Sequence, residues 1–178
     1  TNQSIVSLAY EPKSGLIFGG SANWGGGGTH PAEVEARFFA FDPKQKRKVF
    51  EAALVPGAVS YPATVAAEGQ VFTTVGERLF VVDPQAMRVV RTNSLPGTQV
   101  QIALGRHRSG LLVGLTGGAV YAVDPLKGEV VHTALAPTHI NCGFALTDDA
   151  VYFGSGPALW RYRLPPLEPS PRPQGKER

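Results

Sequence analysis

Short apolar runs alternate with polar turns that contain glycine and proline along this chain. No segment shows sustained apolar periodicity of 3.6 residues, whereas runs of four to eight apolar or alternating residues are typical of strands. The pattern predicts four successive strands at 99–104, 111–115, 119–123 and 129–135, and four more at 64–67, 70–75, 78–82 and 87–92. The chain is therefore expected to be all-β.

The third strand of each set carries a recurring phrase. It reads Phe-Phe-Ala-Phe-Asp-Pro at 38–43, Leu-Phe-Val-Val-Asp-Pro at 79–84, Val-Tyr-Ala-Val-Asp-Pro at 120–125 and Leu-Trp-Arg-Tyr-Arg at 159–163. Asp42, Asp83 and Asp124 recur every 41 residues, and Arg163 holds the equivalent place 39 residues later. A period in the low forties, built from strands, is typical of a β-propeller in which each repeat is one antiparallel four-stranded blade.

Residues 1–164 are accordingly predicted to form a partial β-propeller, with blades at about 4–55, 60–95, 99–136 and 140–164. The last blade stops after its third strand, and the sequence offers no spare outer strand before the first inner strand at 5–10. The chain is thus interpreted as the C-terminal part of a larger propeller, or as a half-ring that pairs with something. Residues 165–178, rich in proline and charge, are expected to form a disordered tail.

The three Asp-Pro pairs are interpreted as folding signals. An aspartate before proline at the end of a strand caps the following turn through its side chain. Each pair belongs to a different blade, so the three carboxylates are not expected to converge into a site.

One loop departs from the repeat. In the first blade, residues 19–36 separate the second strand from the third, whereas the equivalent loops are about as short as a hairpin allows. Long loops in compact repeats are often functional. Trp24 is a candidate for stacking on a sugar or another planar ligand, and His30, Glu33 and Glu35 supply polar groups. The alternative is that the loop covers the channel mouth, with Trp24 as a plug.

The rim that this loop occupies is expected to collect further polar residues. In a propeller, the loops that join successive blades share one rim with the loops between the second and third strands. This places Tyr61, Gln101, His139 and Asn141 beside the long loop. His30 and His139 are the histidines expected there, and they are candidates for proton transfer or for binding a divalent metal. Cys142 is expected to be a small buried residue.

Composition narrows the classes of function only slightly. At 43% hydrophobic residues the chain can build a core. Its net charge is +3, and the basic residues are scattered through turns, which argues against nucleic-acid binding. A single cysteine excludes an internal disulfide framework. No apolar run approaches the length that spans a membrane.

The phrase at 118–131, Gly-Ala-Val-Tyr-Ala-Val-Asp-Pro-Leu-Lys-Gly-Glu-Val-Val, resembles the repeat of quinoprotein-like propellers. It is similar also to repeats of the YVTN, WD40-like and streptogramin-lyase-like groups. The resemblance implies a propeller fold and an extracellular or periplasmic location. The tryptophan that ends the repeat in pyrroloquinoline-quinone enzymes is replaced here by His132 or Thr133, which argues against that cofactor.

Two classes of function follow. In the first, the Trp24 loop and the rim bind a carbohydrate or a protein partner without turnover, and the other partners are the remaining blades or a second copy of the chain. In the second, the protein is a lyase or hydrolase that uses His30 and His139, with or without a divalent metal. No catalytic spacing is visible, so binding is favoured and no cofactor is expected.

Overall fold

The structure, a computed structural model, describes residues 3–25, 30 and 32–168, with the side chain of Ile102 excepted. These residues form fifteen strands and no helix, and thus no helix long and apolar enough to cross a membrane. The strands are β1 (Ser4–Glu11), β2 (Leu16–Ala22), β3 (Phe38–Asp42), β4 (Arg47–Ala52), β5 (Thr64–Ala67), β6 (Gln70–Val75), β7 (Arg78–Asp83), β8 (Arg88–Ser94), β9 (Gln99–Arg106), β10 (Leu112–Thr116), β11 (Ala119–Asp124), β12 (Glu129–Leu135), β13 (Cys142–Leu146), β14 (Ala150–Ser155) and β15 (Ala158–Arg163).

The strands form four antiparallel sheets, each in simple sequence order. Sheet A contains β1–β4, sheet B β5–β8, sheet C β9–β12 and sheet D β13–β15. The first strands of the sheets lie side by side, with β5 between β1 and β9 and with β13 beside β9. This all-β arrangement of repeated four-stranded sheets is consistent with propeller-like blades.

Three apolar clusters fill the spaces between neighbouring sheets. Phe18 and Phe38 of sheet A meet Val71 and Phe80 of sheet B. Sheets B and C, and sheets C and D, enclose similar clusters. The middle strands of sheets B and C are covered on both faces, so β11 is buried along its whole length, whereas the outer strand β8 is largely exposed. This burial explains why the middle strands are continuous apolar runs in the sequence.

The aspartates of the repeat cap their turns, as predicted. Oδ1 of Asp42 accepts hydrogen bonds from the amides of the second and third residues after it, at 2.8 and 3.1 Å. Asp83 and Asp124 make the same pair of bonds at the ends of β7 and β11. The amides of Ala86 and Gln85 hold the pKa of Asp83 below its usual range. Each turn is thus closed by its own local chemistry.

The long loop is shorter than predicted. Its first four residues belong to β2, which pairs with β1 as far as Ala22, so the connection to β3 spans residues 23–37. The sequence places Gly19 and Gly20 in the loop. In the fold they are strand residues that pair with Leu8 and Ser7 of β1. Glycine suits both positions, because the side chains of Leu8 and Tyr61 occupy the space that a Cβ would need.

The end of the described chain differs from expectation in two ways. Cys142 is exposed rather than buried, because a β-bulge between Cys142 and Ala145, with Gly143 at φ 74°, interrupts the alternation of β13. Leu167 lies within the predicted disordered tail, yet it packs against the cluster between sheets C and D. Residues 169–178 of that tail lie outside the described residues.

Candidate functional site

The connections between sheets share one rim with the β2–β3, β6–β7 and β10–β11 loops. The amide of Asn23 donates to the carbonyl of Val59 at 2.9 Å, and the amide of Leu95 donates to the carbonyl of Glu77 at 2.8 Å. The amide of Ile140 donates to the carbonyl of Gly117 at 2.8 Å. Each connection is therefore tied to a hairpin at the same end of the sheets.

An open cleft of about 840 Å³ lies on this rim, between elements of sheets A, B and C. Its apolar side chains are Trp24, Val55, Ala58, Val59, Pro62, Val75 and Leu95. Its polar side chains are Ser60, Glu77, Arg78, Ser94, Thr98, Gln99 and Gln101. Trp24 is 47% exposed, so its indole remains accessible to a ligand.

Gln99 is the most firmly held polar side chain of the cleft. It is 5% exposed, its Nε2 donates to the carbonyl of Ala103 at 2.6 Å, and its Oε1 accepts from the Tyr121 hydroxyl at 2.6 Å. Tyr121 packs across its strand partner Gly114, and burial raises the pKa of its hydroxyl, which stays a donor. The sequence places Gln99 on this rim beside Gln101, but only Gln101 is among the predicted ligand-binding residues.

Replacing Tyr121 with phenylalanine is expected to lower the free energy of unfolding by about 1–2 kcal/mol, because the buried Oε1 of Gln99 loses its donor. Denaturant unfolding measures the loss. Tyr152→Phe, at a partly buried position in sheet D, is the control and should change stability by less than about 0.5 kcal/mol. Equal effects of the two substitutions would contradict a special role for the Gln99 bond.

Tyr61 lies beneath the rim rather than on it. It is fully buried, its ring lies 6.0 Å from that of Phe38, and its hydroxyl accepts from the Leu54 amide at 2.8 Å. Burial raises the pKa of this hydroxyl. Tyr61 therefore holds the connection between sheets A and B in place, and its burial removes it from the candidate ligand contacts.

The glutamates of the long loop make contacts within the protein. Glu33 lies 3.3 Å from the guanidinium of Arg37. Glu35 accepts from the amide of Gly57, a residue of the cleft wall, at 2.7 Å. These contacts fix the second half of the loop against the cleft. His30 is exposed, and its neighbours at 26–29 and 31 lie outside the described residues.

His139 and Asn141 lie on the same rim, but on the part formed by sheets C and D. The imidazole of His139 packs over Gly117, and Oδ1 of Asn141 accepts from the amide of Gly156 at 2.8 Å. Neither residue, nor His30, is among the described residues that line the cleft. In the described ranges, no three His, Cys, Asp or Glu side chains cluster so as to hold a metal ion. The structure thus brings Trp24 and Gln101 together at the cleft, and neither histidine is among the described residues that line it.

These features define the chain as an all-β repeat protein whose antiparallel sheets are consistent with propeller-like blades and which has an open cleft on one rim. No family model matches it, and no curated protein matches it in sequence. Its fold is similar to that of the computationally designed Ika4 protein, with a TM-score of 0.65 and 12% identity over 93% of this chain and 94% of the other.

The computationally designed Ika8 protein is also similar, with a TM-score of 0.60 and 14% identity over 90% of this chain and 46% of the other. Hydrazine synthase from Kuenenia stuttgartiensis aligns with a TM-score of 0.61 and 14% identity over 84% of this chain and 44% of the other. The chain thus spans a little under half the length of these two proteins. Identities this low show a shared fold alone.

Proposed function

We propose that this chain is a ligand-binding scaffold whose four sheets act as blades of a β-propeller and whose rim cleft takes the ligand. The observation that carries the proposal is the exposed Trp24 beside a cleft of about 840 Å³ on the rim. Pockets for small ligands typically enclose about 300–1,000 Å³ and combine apolar walls with a few polar groups. This cleft has both features.

The chemistry of the walls favours a carbohydrate. The indole of Trp24 offers a flat apolar surface that suits the C–H face of a pyranose ring. Ser60, Thr98 and Gln101 supply hydroxyl and amide groups at the same cleft, and Arg78 and Glu77 add charged ones. Such groups match the hydroxyl-rich edge of a sugar. A protein partner is the alternative ligand.

A lyase or hydrolase that uses His30 and His139 has less support. Neither imidazole lines the cleft among the described residues, and His139 packs at the end of sheet C. An acid–base role needs both groups within reach of one substrate.

The carbohydrate proposal predicts that Trp24→Ala weakens binding by about 2 kcal/mol while thermal stability stays unchanged. The purified chain is first tested on an array of immobilised oligosaccharides, and a bound oligosaccharide is then titrated. Trp24 and Trp160 are the two tryptophans, so Trp160→Phe leaves Trp24 as the only fluorescent indole and reports binding at the cleft directly.

Trp160→Ala is the matched control. Trp160 is 37% exposed on β15 and is not among the lining residues of the cleft. Its replacement should therefore leave the affinity for the oligosaccharide unchanged. If Trp24→Ala instead lowers the melting temperature and leaves binding intact, Trp24 is a plug. If no oligosaccharide binds and a protein ligand does so through Trp24, the scaffold role stands and the carbohydrate class is wrong.

A further inference from the structure

One face of sheet A, the side turned away from sheet B, is apolar and open. Leu8 and Tyr10 of β1 lie on it, and each is 59% exposed. Leu8 and Phe39 both occupy the space beside Gly19, which places Phe39 on the same face. Strand alternation adds Phe41, which is only partly buried. We call this surface the leading face; it is defined by Leu8, Tyr10, Phe39 and Phe41.

The same positions are buried in the other sheets. Phe39 corresponds by register to Phe80 in sheet B and to Tyr121 in sheet C, which are 5% and 0% exposed. Leu8 corresponds to Leu104 of β9, which is 6% exposed. These positions are buried because sheets B and C each pack on the sheet before them. The leading face of sheet A is the same interface without its occupant.

The opposite end of the array shows the complementary surface. Leu159 of β15 corresponds by register to Phe38, Leu79 and Val120, which are all fully buried against the following sheet. Leu159 is 79% exposed. Arg161 and Arg163 alternate with the inward-facing Tyr162, so they share the face of Leu159. We call this surface the trailing face; it is defined by Leu159, Arg161 and Arg163.

We propose that the leading face of one chain docks onto the trailing face of a second copy, so that two copies form a dimer through two identical contacts. Within one chain, the interfaces between sheets A and B, B and C, and C and D each join the surface that corresponds to the trailing face of one sheet to the surface that corresponds to the leading face of the next. A further contact of this kind between copies is heterologous, and a heterologous contact can close into a ring when the rotation allows it.

The aromatic rings of the leading face and the length of the chain both suit this occupant. The guanidinium of Arg163, and that of Arg161 with its ion-pair partner Asp149, would meet a surface that carries three aromatic rings, an arrangement favoured by cation–π attraction. Glu51 and Lys48, opposite Phe39 and Phe41, pair with each other at the edge of the leading face, so this edge adds no unpaired charge to the contact. Two copies would also contain about as many residues as Ika8, a chain of similar fold of which this chain covers 46%.

Sedimentation velocity of the chain tests the proposal. The species expected has twice the 18.9 kDa of one chain. Leu8→Asp should raise the dissociation constant of the dimer by about 100-fold, because a carboxylate would be buried without a partner. Val90→Asp, at a position 48% exposed on the outer strand of sheet B, is the control and should remain dimeric. Circular dichroism verifies that each variant is folded, and Tyr10→Glu replaces Leu8→Asp if that variant does not fold.

A mixing experiment tests the head-to-tail geometry. Leu159→Asp alone should also be monomeric, since it spoils the trailing face. A mixture of the Leu8→Asp and Leu159→Asp variants should form dimers that are weaker than the wild-type dimer but tighter than those of either variant alone, because one of the two contacts in the mixed dimer joins two intact faces.

Two outcomes would overturn the proposal. A wild-type chain that stays monomeric over the whole concentration range has no such contact. A dimer that tolerates Leu159→Asp but not Leu8→Asp joins two leading faces symmetrically, which is a different assembly.

Discussion

Replacing Gly20 with alanine is expected to destabilise the fold by about 3 kcal/mol. A Cβ at this position would lie 2.1 Å from Cβ of Tyr61 and 2.9 Å from its carbonyl oxygen. Tyr61 cannot retreat, because its ring packs against Phe38 and its hydroxyl accepts from the Leu54 amide. Its own carbonyl oxygen also accepts from the hydroxyl of Ser7 at 2.8 Å. Denaturant unfolding of the variant measures the loss.

Gly118→Ala is the control for this prediction. Gly118 lies in the β10–β11 hairpin, nothing lies within 4 Å of an added Cβ, and its φ is outside the left-handed region. Its substitution should change stability by less than about 0.5 kcal/mol. If Gly20→Ala is as stable as Gly118→Ala, the contact between β2 and Tyr61 is not rigid, and the account of why β2 carries glycine is wrong.

Local chemistry explains how much of the fold could be predicted from the sequence. The turns that follow Asp42, Asp83 and Asp124 are closed by bonds to the next two or three residues, so their signal lies in a few consecutive letters. The repeat of that signal every 41 residues predicted the period. The apolar runs around it predicted the order of strands in each sheet and the three strands of the last one.

Contacts between distant residues explain what could not be predicted. Gly19 and Gly20 have the composition of a turn, and only their pairing with β1, which lies earlier in the chain, makes them strand residues. Tyr61 lies in a connection, where exposure is the usual state, yet it fills the core between sheets A and B. At the site, Trp24 and Gln101 could be predicted from loop length and strand order. The place of Gln99 on the rim follows from the same strand order, but its hydrogen bond could not be predicted, because its partner Tyr121 is 22 residues away.

Glu11 is expected to stabilise the turn after β1 by about 3 kcal/mol, so Glu11→Ala should lose that amount. The side chain is buried; its Oε1 accepts from the Lys13 amide at 3.1 Å and its Oε2 from the Ser14 amide at 2.6 Å. Hydrogen bonds to a charged group each contribute about 1.5–3 kcal/mol, and removing the acceptor leaves two amides unpaired. Glu11→Gln keeps one acceptor oxygen and should lose about half as much. Denaturant unfolding at neutral pH measures both variants.

The contribution of Glu11 should also depend on pH. Burial acts to raise the pKa of this carboxyl, but the amides of Ser14 and Lys13 outweigh it and hold the pKa below its ordinary value of 4.5. A carboxyl whose pKa is lower in the folded state stabilises the fold above its unfolded pKa, and the stabilisation disappears as the pH falls through the folded pKa. The stability advantage of the wild type over Glu11→Gln should therefore shrink as the pH falls below about 4.5. Glu68→Gln, an exposed residue in the β5–β6 turn, is the control and should show no such change. An advantage that stays constant in acid would mean that the charge of Glu11 does not hold the turn.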